Sequence, residues 1–382
     1  MAAFKYVHLI ILIIIIISLS SSTTATVVVR PPVKAAYWPT WSISYFPPSS
    51  IDTTLFTHIY YAFISPSNVT FKFEASNSTA SLLREFTTTL HGKNPPVKTL
   101  ISIGGGGDDP TLYARMASKA RTRKVFIKSA IDLARKFRFD GLDLDWEFPK
   151  DPKEMMDLGR LFKEWRAAIQ IEAQKNDRPP LLLTAAVYYS VEFVIYGGPR
   201  KYPVNSISRY LDWASPMCFD YHGSWDTSQT GAHAALYDQK SNISTSYGLQ
   251  SWIRAGVPAS KLVMGLPLYG RTWKLKDPNI NGIGAPAVGL GPGEDGVLTF
   301  VQLEQYNRNN SATVVYDVGS VSTYSYVGTS WVGYDDVTST TTKIGFAKAH
   351  GLLGYFFWAV SYDNEGKISK QASRAWIDDL SL

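Results

Sequence analysis

The chain has 382 residues, of which 45% are hydrophobic, 13% aromatic and 18% charged, with a net charge of +6 and a single cysteine, Cys218. One cysteine excludes an intramolecular disulfide, so stability has to come from a large apolar core. The lysines and arginines are dispersed, which excludes the basic stripe of a nucleic-acid binder; the densest run, ARTRKVFIK at 120–128, has the apolar spacing of a solvated helix face.

Lys5 precedes an apolar run at 9–19, followed by the small polar residues SSSTTAT. This predicts a cleaved secretory signal over 1–25 with the cut near Ala25, and hence a secreted, extracellular protein. The run is shorter than the ~20 residues that span a bilayer, and the alternative is a retained anchor that recruits the valines at 27–29. Four Asn-x-Ser/Thr sequons, at Asn68, Asn77, Asn242 and Asn309, fit a secreted glycoprotein.

From there to the C-terminus, short β-branched or aromatic runs alternate with amphipathic stretches. The strand candidates in order are VKAAYW, FTHIYYAFI, VKTLISI, FDGLDLDWE, LLLTAAV, ASPMCF, KLVMGLPL and LLGYFFW. Between them lie patterns such as MMDLGRLFKEWRAAI, with Leu158, Leu161, Phe162, Trp165 and Ile169 at three- and four-residue steps. Near-continuous apolar strands alternating with helices predict a parallel sheet covered by helices, and eight units predict a (β/α)8 barrel over 26–382. An open doubly wound sheet would need a nucleotide fingerprint; GGGG at 104–107 lacks the Gly-Lys-Ser/Thr that would make it one. Its glycines are expected to let the backbone approach a ligand. More than sixty residues separate the seventh strand from the helix near Thr338. Their alternating Tyr, Val and Thr predict a small α+β insertion over 272–335, between strand 7 and helix 7. Cys218, inside a predicted strand, reads as a buried inert thiol.

The stretch FDGLDLDWEFP places Asp140, Asp143, Asp145 and Glu147 in an apolar run. Residues two apart in a strand share a face, so Asp143, Asp145 and Glu147 are predicted to point into the barrel. Glu147 comes last, at the C-terminal end where barrel enzymes keep their catalytic groups. Like charges so close share protons, which leaves Glu147 able to stay protonated near neutral pH. A surface strand with an acidic face and a metal site are the alternatives; no histidine lies nearby and every oxygen comes from one strand, which argues against metal.

DGLDLDWE resembles the Asp-x-x-Asp-x-Asp-x-Glu signature of glycoside hydrolase family 18. Together with AAYWPTW, SIGG, MCFDYHGSW, MGLPLYGRTW and GYFFWAVSYD, in that order, it makes the chain similar to plant class V chitinases over essentially its whole mature length. The resemblance implies a secreted, monomeric hydrolase of β-1,4-linked N-acetylglucosamine polymers or oligomers, chitin or lipochitin signals among them, with no cofactor, no metal and no membrane contact after signal cleavage. It implies retention through an oxazolinium formed by the substrate's own 2-acetamido group. Glu147 would be the acid and base, Asp145 would orient the acetamide, Asp143 would share a proton with Asp145, and Asp220 would lie near both. Trp358, Met217, Phe219, Tyr221, Tyr269 and Arg271 would line the substrate site, while Asp140, on the opposite parity, would be structural. Phe219 stands where many members carry a tyrosine that holds the acetamide oxygen, and Tyr221 is the candidate substitute. That departure leaves a catalytically silent chitin-binding lectin as the alternative. Trp38, Trp41, Trp225 and Trp273 follow or end predicted strands and are the candidate stacking platforms, half of them expected in the core.

Overall fold

A computed structural model describes residues 31–195, 198–363 and 365–378. The predicted signal and the valines at 27–29 lie outside the described residues. Eight parallel strands form at Val33–Pro39, His58–Ile64, Lys98–Gly104, Gly141–Asp145, Leu182–Tyr188, Trp213–Met217, Val263–Pro267 and Gly354–Trp358. Counted in chain order, they pair as sixth, fifth, fourth, third, second, first, eighth, seventh. A parallel bridge from Ala214 to Leu262 brings the sixth against the seventh and closes the ring. This is the (β/α)8 barrel that the sequence predicts.

The strands read as continuous apolar runs because both of their faces are buried. Ala35, Tyr37, Tyr60, Leu100 and Phe356 fill the interior. Their neighbours of opposite parity, Ala36, Trp38, Ile59, Ile101 and Leu142, pack under the helices. The helix Pro152–Lys175 begins where the Asp151 carboxylate accepts the Glu154 N–H and Pro152 sets the first turn. Its stripe of Leu158, Leu161, Phe162, Trp165 and Ile169 is buried, as the spacing demands. In the helix Ala120–Lys136 one basic residue departs from the solvated-face expectation: Arg123 is buried and forks onto Glu164 at 2.9 and 2.6 Å. Among the described residues no helix is long and apolar enough to cross a membrane.

Between the seventh and eighth strands lies an antiparallel sheet. It is built from Tyr269–Leu275, Ala287–Leu290, Val297–Thr299, Thr313–Asp317, Ser322–Val327 and Ser330–Tyr334, with the helix Phe300–Asn310. It carries its own small core of Trp273, Leu275, Ala285, Ala287 and Trp331. The sheet starts at Tyr269, one residue past a break after Pro267, so Tyr269 and Arg271 belong to its first strand. Residues two apart share a face, and both look back toward the barrel mouth.

Candidate active site

The carboxylates of the fourth strand grow more exposed and less partnered toward its end. Asp143 is fully buried. Ser102 and Thr184 stand directly opposite it on the two flanking strands. The Ser102 and Tyr37 hydroxyls donate to its Oδ2 at 2.8 and 2.9 Å, and the Thr184 hydroxyl donates to Oδ1 at 2.5 Å. Burial raises the pKa of Asp143 while these three donors oppose the shift. Among the described residues no hydrogen bond joins Asp143 to Asp145; the donors to Asp143 are hydroxyls of three other strands, and the two carboxyl groups act on each other through charge.

Asp145 is 5% exposed, and its buried Oδ1 has no hydrogen-bond partner among the described residues. Burial, then the charges of Glu147 and Asp143, push its pKa well above the carboxylate range. Glu147 follows the strand at the same parity. Burial and the charge of Asp220 raise it to about 7, against an opposing hydrogen bond from the Gly106 backbone. The glycines make this geometry possible. Gly104 and Gly105 adopt φ of 110° and 96°, and a Cβ on Gly104 would sit 2.1 Å from the Asp145 carbonyl oxygen. The close approach is to the carboxylate strand, and Gly104, Gly106 and Gly107 also line the cleft, where the sequence places a ligand.

Asp220 lies beyond the sixth strand at a left-handed φ of 59°. Its Oδ1 accepts the Tyr269 hydroxyl at 2.8 Å and the Arg271 guanidinium at 2.9 Å from Nε and 2.8 Å from Nη2. Against the burial that would raise it, the His233 imidazole, the Arg271 cation and the Tyr269 hydroxyl hold Asp220 below the usual carboxylate range. One cleft thus holds one carboxyl pushed up to neutrality and one held ionised, which is the separation that divides acid and base roles.

That cleft has a volume of ≈ 1420 Å³ at the barrel mouth, larger than a single small ligand requires. Trp358, on its floor, stacks on Phe63 with centroids 5.5 Å apart and planes at 17°. Trp41 and Trp225 are 54% and 59% exposed and line the cleft. Trp38 and Trp273 are fully buried, their indole N–H groups donating to the backbone oxygens of Phe46 and Asp226. Met217 and Phe219 line the cleft over the barrel interior, and the Phe219 ring meets Tyr269 and Phe356 edge-on at 6.2 and 6.1 Å. Tyr221 touches the cleft, but its hydroxyl lies 3.0 Å from the Thr245 hydroxyl and its ring packs in the core. It is therefore engaged elsewhere than at the position Phe219 leaves without a donor. Asp140 sits at the far end of the strand, where the Thr99 N–H donates to it at 2.8 Å and His91 Nε2 lies at 2.9 Å. The Cys218 thiol is buried, and burial pushes it up to about 12.

A family model described as "Glycosyl hydrolases family 18" matches residues 33–363. The chain belongs to glycosyl hydrolase family 18. It is a glycoside hydrolase, and family 18 relatives match it over most of its length. It is 54% identical to the class V chitinase CHIT5a of Medicago truncatula over 90% of this chain and 89% of that protein. It is 51% identical to Nod factor hydrolase protein 1 of the same plant, over 90% of each. Among solved structures, the class V chitinase of Nicotiana tobaccum in complex with NAG4 matches at a TM-score of 0.87 and 42% identity, covering 91% of this chain and 99% of that one.

Several residues that build the site of this family 18 enzyme escape reading by motif. Thr184 carried a usable signal as the lone small polar residue of its apolar strand, whereas Ser102 shares its strand with Lys98 and Thr99 and is set apart only by its register opposite Asp143. Tyr37, Phe63 and His233 carried none, because their roles depend on contacts between distant segments.

Proposed function

We propose that this hydrolase cleaves β-1,4-linked N-acetylglucosamine chains, chitin or oligosaccharides derived from it, outside the cell, and that the substrate's own acetamide is the nucleophile. The names of its relatives support the substrate class: two are chitinases, one is a Nod factor hydrolase, and one chitinase was captured with NAG4. The apolar N-terminal run supports secretion, and so do the four sequon asparagines, all exposed at the surface.

The observation that carries the mechanism is the unpartnered, buried Oδ1 of Asp145 next to the neutral acid Glu147. A buried acceptor with no donor is a strong demand for one, and an acetamide N–H supplies it. With its N–H held by Asp145, the acetamide carbonyl oxygen attacks the anomeric carbon while Glu147 protonates the departing glycosidic oxygen. The bond to the leaving sugar breaks and an oxazolinium forms. Glu147, now a carboxylate, takes a proton from water, and that water opens the oxazolinium from the face the leaving group vacated. Two inversions give retention. Asp143 stabilises Asp145 from behind, and the aromatic floor at Trp358 supports the reacting sugar.

Proton NMR of fresh hydrolysates of chitohexaose tests this route, with cellohexaose and fully deacetylated chitosan oligomers alongside. The β-anomer should appear first, and neither of the other two substrates should be cut. An initial α-anomer, or steady cleavage of cellohexaose, overturns it in favour of a carboxylate nucleophile. Product analysis on oligomers with and without an acyl chain separates chitin from lipochitin signals as the preferred substrate.

A further inference from the structure

His233 belongs to no motif read from the sequence, yet it sits behind the cleft at the join of three segments. Its side chain is 1% exposed. The ring nitrogen Nε2 lies 3.1 Å from the Tyr269 carbonyl oxygen, and a carbonyl can only accept, so the Nε2 proton donates there. The other nitrogen, Nδ1, has no hydrogen-bond partner among the described residues and faces the Asp220 Oδ1 at 3.7 Å. The ring packs against the Tyr269 ring with centroids 5.1 Å apart. Through its backbone the same residue accepts the Tyr221 N–H at 2.9 Å, directly after Asp220, whose left-handed φ of 59° needs support from its surroundings.

We infer that His233 is a positioning residue for the reaction, holding the Asp220 carboxylate in the cleft it shares with Glu147 by bridging the backbone of Tyr269 to Asp220. The inference rests on the assignment of Glu147 as acid and base. Asp220 already receives the Tyr269 hydroxyl and the Arg271 guanidinium, all on Oδ1. With its Nε2 proton given to the Tyr269 carbonyl, His233 attracts that oxygen only when Nδ1 carries a proton as well; in that form it closes the fourth side of Oδ1 and fixes the strand from which Tyr269 and Arg271 reach it. Without the ring, the Tyr269 carbonyl loses its donor and Asp220 Oδ1 loses the nitrogen that faces it, while the backbone bond from Tyr221 stays. The carboxylate then drifts from Glu147, and the charge that keeps Glu147 protonated weakens. The other charged or titratable groups around the imidazole are His222 on its own loop, Arg271 beyond Asp220, and Lys343, whose ammonium binds the carbonyl of the adjacent Ala234.

His233→Gln tests this, because the amide can still donate to a carbonyl but offers no ring nitrogen to Asp220. The folded variant should bind chitohexaose with KM changed less than about threefold, while kcat falls at least about tenfold. The basic limb of its kcat–pH profile should move to lower pH by about half a unit or more. A kcat within about twofold of wild type overturns the inference, and so does a lower kcat with an unmoved limb, which would leave His233 a purely structural role. Should the variant fail to fold, nitrogen-15 histidine NMR on wild type and Asp220→Asn decides the matter. The ring-nitrogen shifts of one buried, slowly exchanging imidazole should change, and identical spectra refute the contact. Glu147→Gln is the control: if it retains activity within about tenfold, the acid–base assignment itself fails, independently of His233.

Discussion

The carboxylates of the fourth strand and the carboxylate of Asp220 open into one cleft, yet they are held in opposite ways. Asp143 and Asp145 on the fourth strand and Glu147 just past its end share one parity, and all three are raised above their ordinary range. Asp220 is gathered from a loop, an inserted sheet and a histidine on a second turn of that loop, and it is held ionised. A row of acids on one strand can build a proton reservoir but has no means of stabilising a permanent charge in its midst. The cation and hydroxyl for that come from a different layer of the fold. The insertion thus completes the electrostatics of the barrel mouth.

The comparison breaks most sharply at Glu147. Glu147→Gln keeps the shape and removes the transferable proton, so hydrolysis should fall by about a thousandfold or more while oligosaccharide binding survives, measured by product assay and calorimetry. The same change sharpens the picture through stability. Glu147 is raised from 4.5 to about 7, so its contribution is complete below pH 4.5 and lost as pH rises through 7. The glutamine variant should therefore match wild type in stability at pH 4 and exceed it at pH 8, by at most about 3 kcal/mol. Equal melting at both values would mean that the cleft solvates Glu147 freely.

Within the strand, Asp143 and Asp145 should separate stability from rate. Asp143→Ala strands the hydroxyls of Tyr37, Ser102 and Thr184 in the barrel interior, and the expected loss is on the order of 3 kcal/mol in urea unfolding. Asp145→Asn replaces a buried, unpartnered carboxyl by a neutral amide, so stability should hold or rise, while kcat drops about a hundredfold as the acetamide's developing positive charge loses its anionic partner. The reverse pattern would exchange their roles. Across the cleft the expected effect is smaller. Asp220→Asn removes a negative charge that raises Glu147, so the basic limb of the kcat profile should move from about 7 to lower pH. A limb that stays in place would show that burial alone sets Glu147.

How far this site was legible in the sequence follows from the same contrast. The barrel and the parity of Asp143, Asp145 and Glu147 depend on local alternation, which one strand displays in full. Trp38 and Trp41 show where local reading ends. They stand three residues apart, one ending the first predicted strand and the other just past it, yet Trp38 packs in the core and Trp41 opens on the cleft. Sequence distance carries no information about that difference. His233 and the glycine contact with Asp145 were hidden for the same reason, since each depends on which segments the closed barrel brings together.

The smallest expected effect concerns Phe219. Its ring is half-buried in the cleft, packed edge-on to Tyr269 and Phe356 and lying over Gly265, where a Cβ would come within 3.0 Å of it. The wall is close behind the ring, and its other side lines the cleft that Asp145 and Glu147 also line. Tyr221 does not compensate, because its hydroxyl is engaged with Thr245. Phe219→Tyr therefore adds a hydroxyl donor to this wall of the cleft. A new hydrogen bond to the acetamide is worth on the order of 1 kcal/mol, so kcat should be unchanged or rise by up to about tenfold, with the melting temperature intact. Steady-state kinetics on chitohexaose measure it. A large loss of rate in a folded variant would mean that the phenyl face itself supports the sugar, and that this wall of the cleft works by stacking alone.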